Sequence, residues 1–121
     1  MKVFSPSLIQ ILDEVIREKE RSVKEIEAIK LNETENITQL LVFIKTSESP
    51  HYHAEHDLTF VVVKGKGELF LDGKVEELKE GDVAFIPKKS VHFYKNTGEI
   101  SVLLAVFSPK YDGKDSIKVE L

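Results

Sequence analysis

The chain has 121 residues, 41% of them hydrophobic, a formal net charge of -4 and no cysteine. That is enough for one domain (1–121) with a real core, while the acidic balance argues against nucleic acid or an anionic membrane surface as a partner, since both need a basic face. Without cysteine there are neither disulfides nor thiolate ligands, so any bound metal must sit on nitrogen and oxygen. Fifteen lysines and fifteen glutamates stand against two arginines, a thermophile-like composition that says nothing about function. No apolar run approaches the roughly 20 residues of a membrane span, and the N-terminus lacks the unbroken apolar core of a signal peptide. A soluble cytoplasmic protein is therefore expected, and the triplets Asn32-Glu33-Thr34 and Asn36-Ile37-Thr38 are read as chance matches to the glycosylation pattern.

In chain order, Ser5-Pro6 reads as a helix start, with Ser5 as cap and Pro6 at the first helical position. Leu8, Ile11, Leu12, Val15 and Ile16 then recur at helical spacing, and Asp13, Glu14, Arg17, Glu18 and Lys19 fill the opposite face. The pattern predicts one N-terminal helix over about residues 6–21, its apolar stripe either covering the outer face of a sheet or meeting a second subunit. From residue 23 the period changes. Residues 24–30 suit an edge strand, 31–36 are turn-like, and Ile37 to Lys45 make a strong strand. A loop over 46–50 leads to His51, and residues 58–63 suit a strand buried on both faces. Asp72-Gly73 predicts a two-residue hairpin turn; a short strand follows at 83–86, then 90–94 with His92, the last long apolar strand at 101–107, and an edge strand at 116–121. Nine or so short strands with regular turns predict an all-β antiparallel sandwich or barrel, over about 23–121.

All four histidines lie between residues 51 and 92, three of them within His51-Tyr52-His53-Ala54-Glu55-His56. In a strand, residues i and i+2 share a face, so His51 and His53 aim two imidazoles at one point. Neutral imidazole is a common ligand for zinc, copper, iron and nickel. His92, and one of the residues between His56 and Leu58, are the candidates to complete a site. No Gly-Lys-Ser/Thr follows Gly65-Lys66-Gly67, so these glycines are not a phosphate loop. No Gly-x-Ser-x-Gly elbow surrounds Ser90, which argues against a nucleophilic serine.

The span resembles the two motifs of the cupin superfamily. The second family motif runs Gly, five residues, Pro, x, Gly, two residues, His, three residues, Asn. Gly81, Pro87, His92 and Asn96 keep that spacing, with Lys89 where the family usually has glycine. The first runs His-x-His, three or four residues, Glu, six residues, Gly. His51, His53 and Gly65 match it, but counting back from Gly65 places Leu58 at the glutamate position. Asp57 is one residue out of register and needs a small bulge to turn its carboxylate inward, while His56 shares the face of Leu58. The expected ligands are His51, His53, His92 and, as the fourth, Asp57 in preference to His56, with three histidines alone as the remaining arrangement.

The resemblance implies a small antiparallel double-stranded β-helix, the cupin or jelly-roll barrel, holding one divalent transition metal ion: iron, manganese, zinc or nickel. Three or four protein ligands leave open positions, as a catalytic metal requires. The readings left open are a metal-dependent enzyme of isomerase/lyase or dioxygenase type acting on a small polar organic molecule, a non-enzymatic cupin binding or sensing a sugar-like small molecule, and a barrel whose site has decayed into structure. Leu58, Phe60 and Val62 are expected to form one apolar wall, Phe85 and Phe93 another, with Gln39, Lys45, Tyr52 and Tyr94 as polar groups within reach. A homodimer is expected, with the apolar strands 58–63 and 101–107 as its face.

Overall fold

The computed structural model describes residues 1–121. The chain opens with a hairpin, β1 (Lys2–Ser5) and β2 (Leu8–Ile11), and one helix, α1 (Asp13–Ser22). Ten strands follow: β3 (Ile26–Thr34), β4 (Ile37–Ile44), β5 (His51–Tyr52), β6 (Asp57–Lys64), β7 (Lys66–Leu71), β8 (Lys74–Lys79), β9 (Val83–Ile86), β10 (His92–Asn96), β11 (Ser101–Ser108) and β12 (Ile117–Lys118). They pair, always antiparallel, into two five-stranded sheets. One has the order β3-β4-β11-β6-β9 and the other β12-β5-β10-β7-β8. The expected all-β antiparallel architecture, a double-stranded β-helix with one helix near the N-terminus, is what forms.

The first sheet is apolar on both faces. Alternation along β4, β6, β9 and β11 sends Ile44, Leu58, Phe60, Val62, Ile86, Leu103, Ala105 and Phe107 inward, where they pack with Leu69 and Tyr94 of the facing layer. The alternate residues Leu41, Phe43 and Val102 point out and are covered by Leu12, Ile16 and Val23 in and around α1. The helix thus covers the outer face of its own sheet. Its short length is consistent with a packing role, because ten residues gain little helical stability alone. No helix is long and apolar enough to cross a membrane.

The helix is shorter than the expected 6–21. Residues 2–11 are instead a hairpin in which Phe4 faces Ile9 and Lys2 faces Ile11. Pro6 explains the misreading: its fixed φ suits a turn as well as a first helical position. Here Ser5 Oγ donates to the Leu8 carbonyl across that turn at 3.2 Å, and the β-branched Ile9 and Ile11 favour the strand. The helix begins after Leu12, where Asp13 and Glu14 suit the positive end of the helix and Asp13 pairs with the chain's terminal ammonium. The turn expected over 31–36 is also shorter. β3 runs to Thr34 because its polar residues find cross-strand partners, Asn32 donating to Gln39 at 2.9 Å. The Asp72-Gly73 turn has both residues at positive φ, 46° and 81°, as the two-residue hairpin turn demands.

Of the strands expected to form the dimer face, β6 and β11 are interior strands of the first sheet; their inner face is core and part of their outer face is covered, leaving Thr59, Val61 and Val106 half-buried. Large apolar side chains are exposed elsewhere, on the N-terminal hairpin (Phe4, Leu8, Ile9, Ile11) and on the edge strand β9 (Val83, Phe85).

Candidate metal centre

β5 and β10 are neighbours in the second sheet, and His51 lies directly across from His92. One residue beyond β5, His53 returns to the face of His51. The three rings gather at the inner end of the sheet, with centroids 4.3 Å apart for His51 and His92, 5.0 Å for His51 and His53, and 5.3 Å for His53 and His92. All three residues are buried. One nitrogen from each ring lies within 4.8 Å of the other two.

Hydrogen bonding determines which nitrogen that is. His51 Nδ1 faces the Ser49 carbonyl at 2.7 Å, His92 Nδ1 faces the Ser90 carbonyl at 3.0 Å, and His53 Nδ1 faces the Asp115 carbonyl. A carbonyl oxygen only accepts, so each Nδ1 carries a hydrogen, and in the neutral ring each Nε2 then presents a lone pair. His92 Nε2 is a buried polar atom with no hydrogen-bond partner. Such an orphan is costly unless something occupies the space before it. Burial pushes the pKa of His92 down to about 4 and that of His53 below its ordinary value, so both rings are neutral, the form that binds metal. Convergent lone pairs, neutral rings and Nδ1–H groups held by backbone carbonyls fit a first-row transition metal on three imidazoles.

The structure does not bring Asp57 to the three histidines. β6 runs in register from Leu58 against both Ile86 and Phe107, so the bulge that would turn Asp57 inward is absent. Leu58 points in, and Asp57 is exposed, its Oδ1 accepting from the Lys88 N–H at 3.0 Å. His56 is also committed elsewhere. Its Nδ1 is 2.6 Å from Asp115 Oδ2 and its Nε2 is 2.9 Å from the Lys110 carbonyl. With an acceptor at both nitrogens the ring is doubly protonated and cannot ligate. Lys89, at the usual glycine position, adopts φ +73°, and its N–H reaches the His53 carbonyl at 2.6 Å, tying the turn before His92 to the other ligand-bearing segment.

Asp115, which sequence reasoning missed, organises this end of the molecule. Its Oδ1 accepts from the Ala54 N–H (3.0 Å), its Oδ2 accepts from the Glu55 N–H (2.8 Å) and from His56, and its carbonyl holds His53. β12 then pairs with β5, Lys118 lying across from His51. The C-terminal strap is thereby laced over the histidine segment.

A cavity of about 290 Å³ opens beside the centre, with His51 and His53 in its wall. Glu48, Tyr111 and Lys118 also line it, whereas Gln39, Lys45, Tyr52 and Tyr94 do not. Phe85 is exposed on β9, and Phe93 stacks on Phe70 at 4.2 Å, so neither builds a wall of it. Glu48 stands where the chain bulges between the Ser47–Lys95 bridge and the His51–His92 pair. Its backbone N–H donates to the Tyr94 carbonyl at 2.9 Å, and its Oε1 accepts from the Tyr94 N–H at 3.0 Å. Burial pushes its carboxyl pKa up, against the pull of His51 and the Tyr94 hydrogen bond. Tyr111 stacks on Phe107 at 4.0 Å and meets His53 edge-on at 5.5 Å.

Residues 41–107 match the family model described as Cupin domain, just over half of the chain. Over its full length the chain is 69% identical to an uncharacterized protein of Aquifex aeolicus (strain VF5), covering 100% of both. It is 37% identical over 62 residues to the pectin degradation protein KdgF of Dickeya dadantii (strain 3937), a match spanning 51% of this chain and 56% of that protein. Among solved structures, KdgF from Halomonas sp. superposes with a TM-score of 0.71 at 26% identity, over 76% of this chain and 86% of that one.

The His56–Asp115 pair sets a pH window for the strap. Burial opposes the charge on His56, but its bonds to Asp115 and Lys110 outweigh it and raise its pKa above 6.5. Burial likewise opposes the charge on Asp115, but its bonds from His56, Glu55 and Ala54 lower its pKa below 3.8. The His56 contribution is full below pH 6.5 and lost as pH rises through the raised pKa; the Asp115 contribution is full above pH 3.8 and lost as pH falls through the lowered one. Asp115→Asn should therefore lower the urea midpoint of metal-free protein most between about pH 4 and 6.5, with a smaller deficit at pH 9. An equal deficit at pH 5 and pH 9 would show that the pair is not ionic.

Proposed function

The chain belongs to the cupin family, and from that premise we propose that it is a metal-dependent enzyme of isomerase or lyase type acting on a small organic molecule. His51, His53 and His92 would hold one divalent transition ion, which leaves coordination positions for a ligand. The orphaned Nε2 of His92 carries this reading. When bound, such an ion polarises a carbonyl or acidifies a water. The chain's own contribution is proton handling and orientation. Glu48 borders the cavity with one oxygen pinned by the Tyr94 amide and a pKa raised by burial, which moves it toward the range where a carboxyl both takes and returns a proton. Lys118, on the strap, offers a positive charge to an anionic group. The likeness to a pectin degradation protein supports turnover of an organic molecule over mere binding. The second reading, a binder without turnover, has the same centre and differs only in what Glu48 does.

Solvent deuterium exchange separates the two. Zinc-, manganese- or nickel-loaded protein is incubated in heavy water with a panel of small carbonyl compounds and followed by NMR. Incorporation of deuterium next to a carbonyl, reduced at least ~100-fold in Glu48→Gln with metal content unchanged, is the expected result for a general base. Ligand binding without exchange for any compound favours the binder.

We also propose that the protein pairs with a second copy through the N-terminal hairpin. Phe4 is 78% exposed, Ile9 57% and Ile11 67%, on a two-stranded sheet that has no third strand, an arrangement marginal in water by itself. Sedimentation should give a dimer for the wild type and a folded monomer for Ile9→Lys; a monomeric wild type excludes the pairing.

A further inference from the structure

The walls of the cavity beside the three histidines differ in chemistry, and their arrangement specifies a ligand. One wall is the inner face of the first sheet, where Val42, Leu58, Phe60, Leu103, Ala105 and Phe107 stand on β4, β6 and β11. No polar side chain of that sheet enters the cavity. The other wall is built from the Glu48 loop, the β5 histidines and the C-terminal strap, and every polar group belongs to it. Ten of the sixteen lining residues are hydrophobic, so a molecule carrying hydroxyls all round would lose water from one side without gaining partners. Each buried, unpaired hydroxyl weighs against binding. At about 290 Å³ the space lies at the lower edge of the range for small-molecule pockets, roughly 300–1,000 Å³.

From this segregation we propose that the centre takes a two-sided ligand: a flat, apolar body about the size of one ring, lying on the Leu58–Phe60–Leu103 wall, with oxygen donors along one edge turned toward His51 and His53. This rests on the three-histidine centre proposed above and narrows its ligand from small polar molecules in general to amphiphilic ones. It also sets the sugar-like ligand lower, since a polyol has no apolar face of that size to offer.

A matched pair of probes tests it. Zinc-loaded protein is titrated by calorimetry with acetohydroxamate and benzohydroxamate, which share a chelating head and differ in body, and with galacturonate as the polyol acid. Benzohydroxamate binding roughly tenfold or more tighter than acetohydroxamate, with galacturonate no tighter than acetohydroxamate, supports the proposal. Equal affinity for the two hydroxamates, or tightest binding of galacturonate, overturns it while leaving the metal centre standing. Failure of the protein to retain zinc would be failure of the centre and is read separately, before any probe is added. In that case metal-free protein decides by amide NMR: shifts at Leu58, Phe60 and Ala105 with benzyl alcohol but not glycerol support the apolar wall as a binding surface, and no shift with either overturns it.

Discussion

Ser49, Ser90 and Asp115 turn their backbone carbonyl oxygens to the Nδ1 atoms of three imidazoles, and a carbonyl can only accept. This constraint fixes the tautomer of each ring, and with it the direction of each remaining lone pair. Free histidines would rotate, protonate and repel one another. These three are held inward, His53 and His92 with lowered pKa values, and His92 Nε2 is left facing its neighbours with nothing to bond. The fold sustains that cost because each accepting carbonyl is anchored by other contacts: Ser90 by the turn after Pro87, Ser49 by the bulge beside Glu48, and Asp115 by the bonds it makes to residues 54–56. The hydrogen-bonding partners of metal-binding imidazoles matter in just this way, by aiming the ligand atom before the ion arrives.

The two sheets divide the remaining work. The first, with its faces packed between the inner core and α1, has no freedom to carry polar groups into the interior. The second is shorter-stranded and closed by the C-terminal strap, and it carries the histidines, with Glu48 beside them. Chemistry and shape thus come from opposite walls of one cavity. The strap is the element that makes them meet, since β12 pairs with β5 while Asp115 holds the segment that follows it. Its local stability is linked to charge on His56, so the histidine outside the cluster supports the three inside it.

The three-histidine cluster was legible in the sequence because its logic is local: His51 and His53 share a strand face by simple alternation, and the Gly81–Asn96 spacing brought in His92. Leu58 facing inward followed from the same counting. Asp57 was misjudged because moving its carboxylate required a bulge, and whether a strand bulges is decided by its neighbours, here Ile86 and Phe107 on either side of Leu58. Asp115 and Glu48 left no sequence signal. One acts on residues about sixty positions away and the other sits in a polar loop that reads as a connection. The N-terminal hairpin was hidden by Pro6, which suits the turn it occupies as well as a helix start, and by an apolar spacing that both structures satisfy.

The most direct test of the centre is the metal content of protein purified without added metal and without a histidine tag, measured by elemental mass spectrometry for the wild type and for His92→Ala. Near one equivalent of a single transition metal in the wild type, lost in the folded variant, is expected, because removing His92 takes away one of three converging lone pairs, the one that is buried without a partner. No metal in either protein, and none bound when iron, manganese, nickel or zinc is offered, would contradict the three-histidine centre and leave the convergent rings as a purely structural cluster.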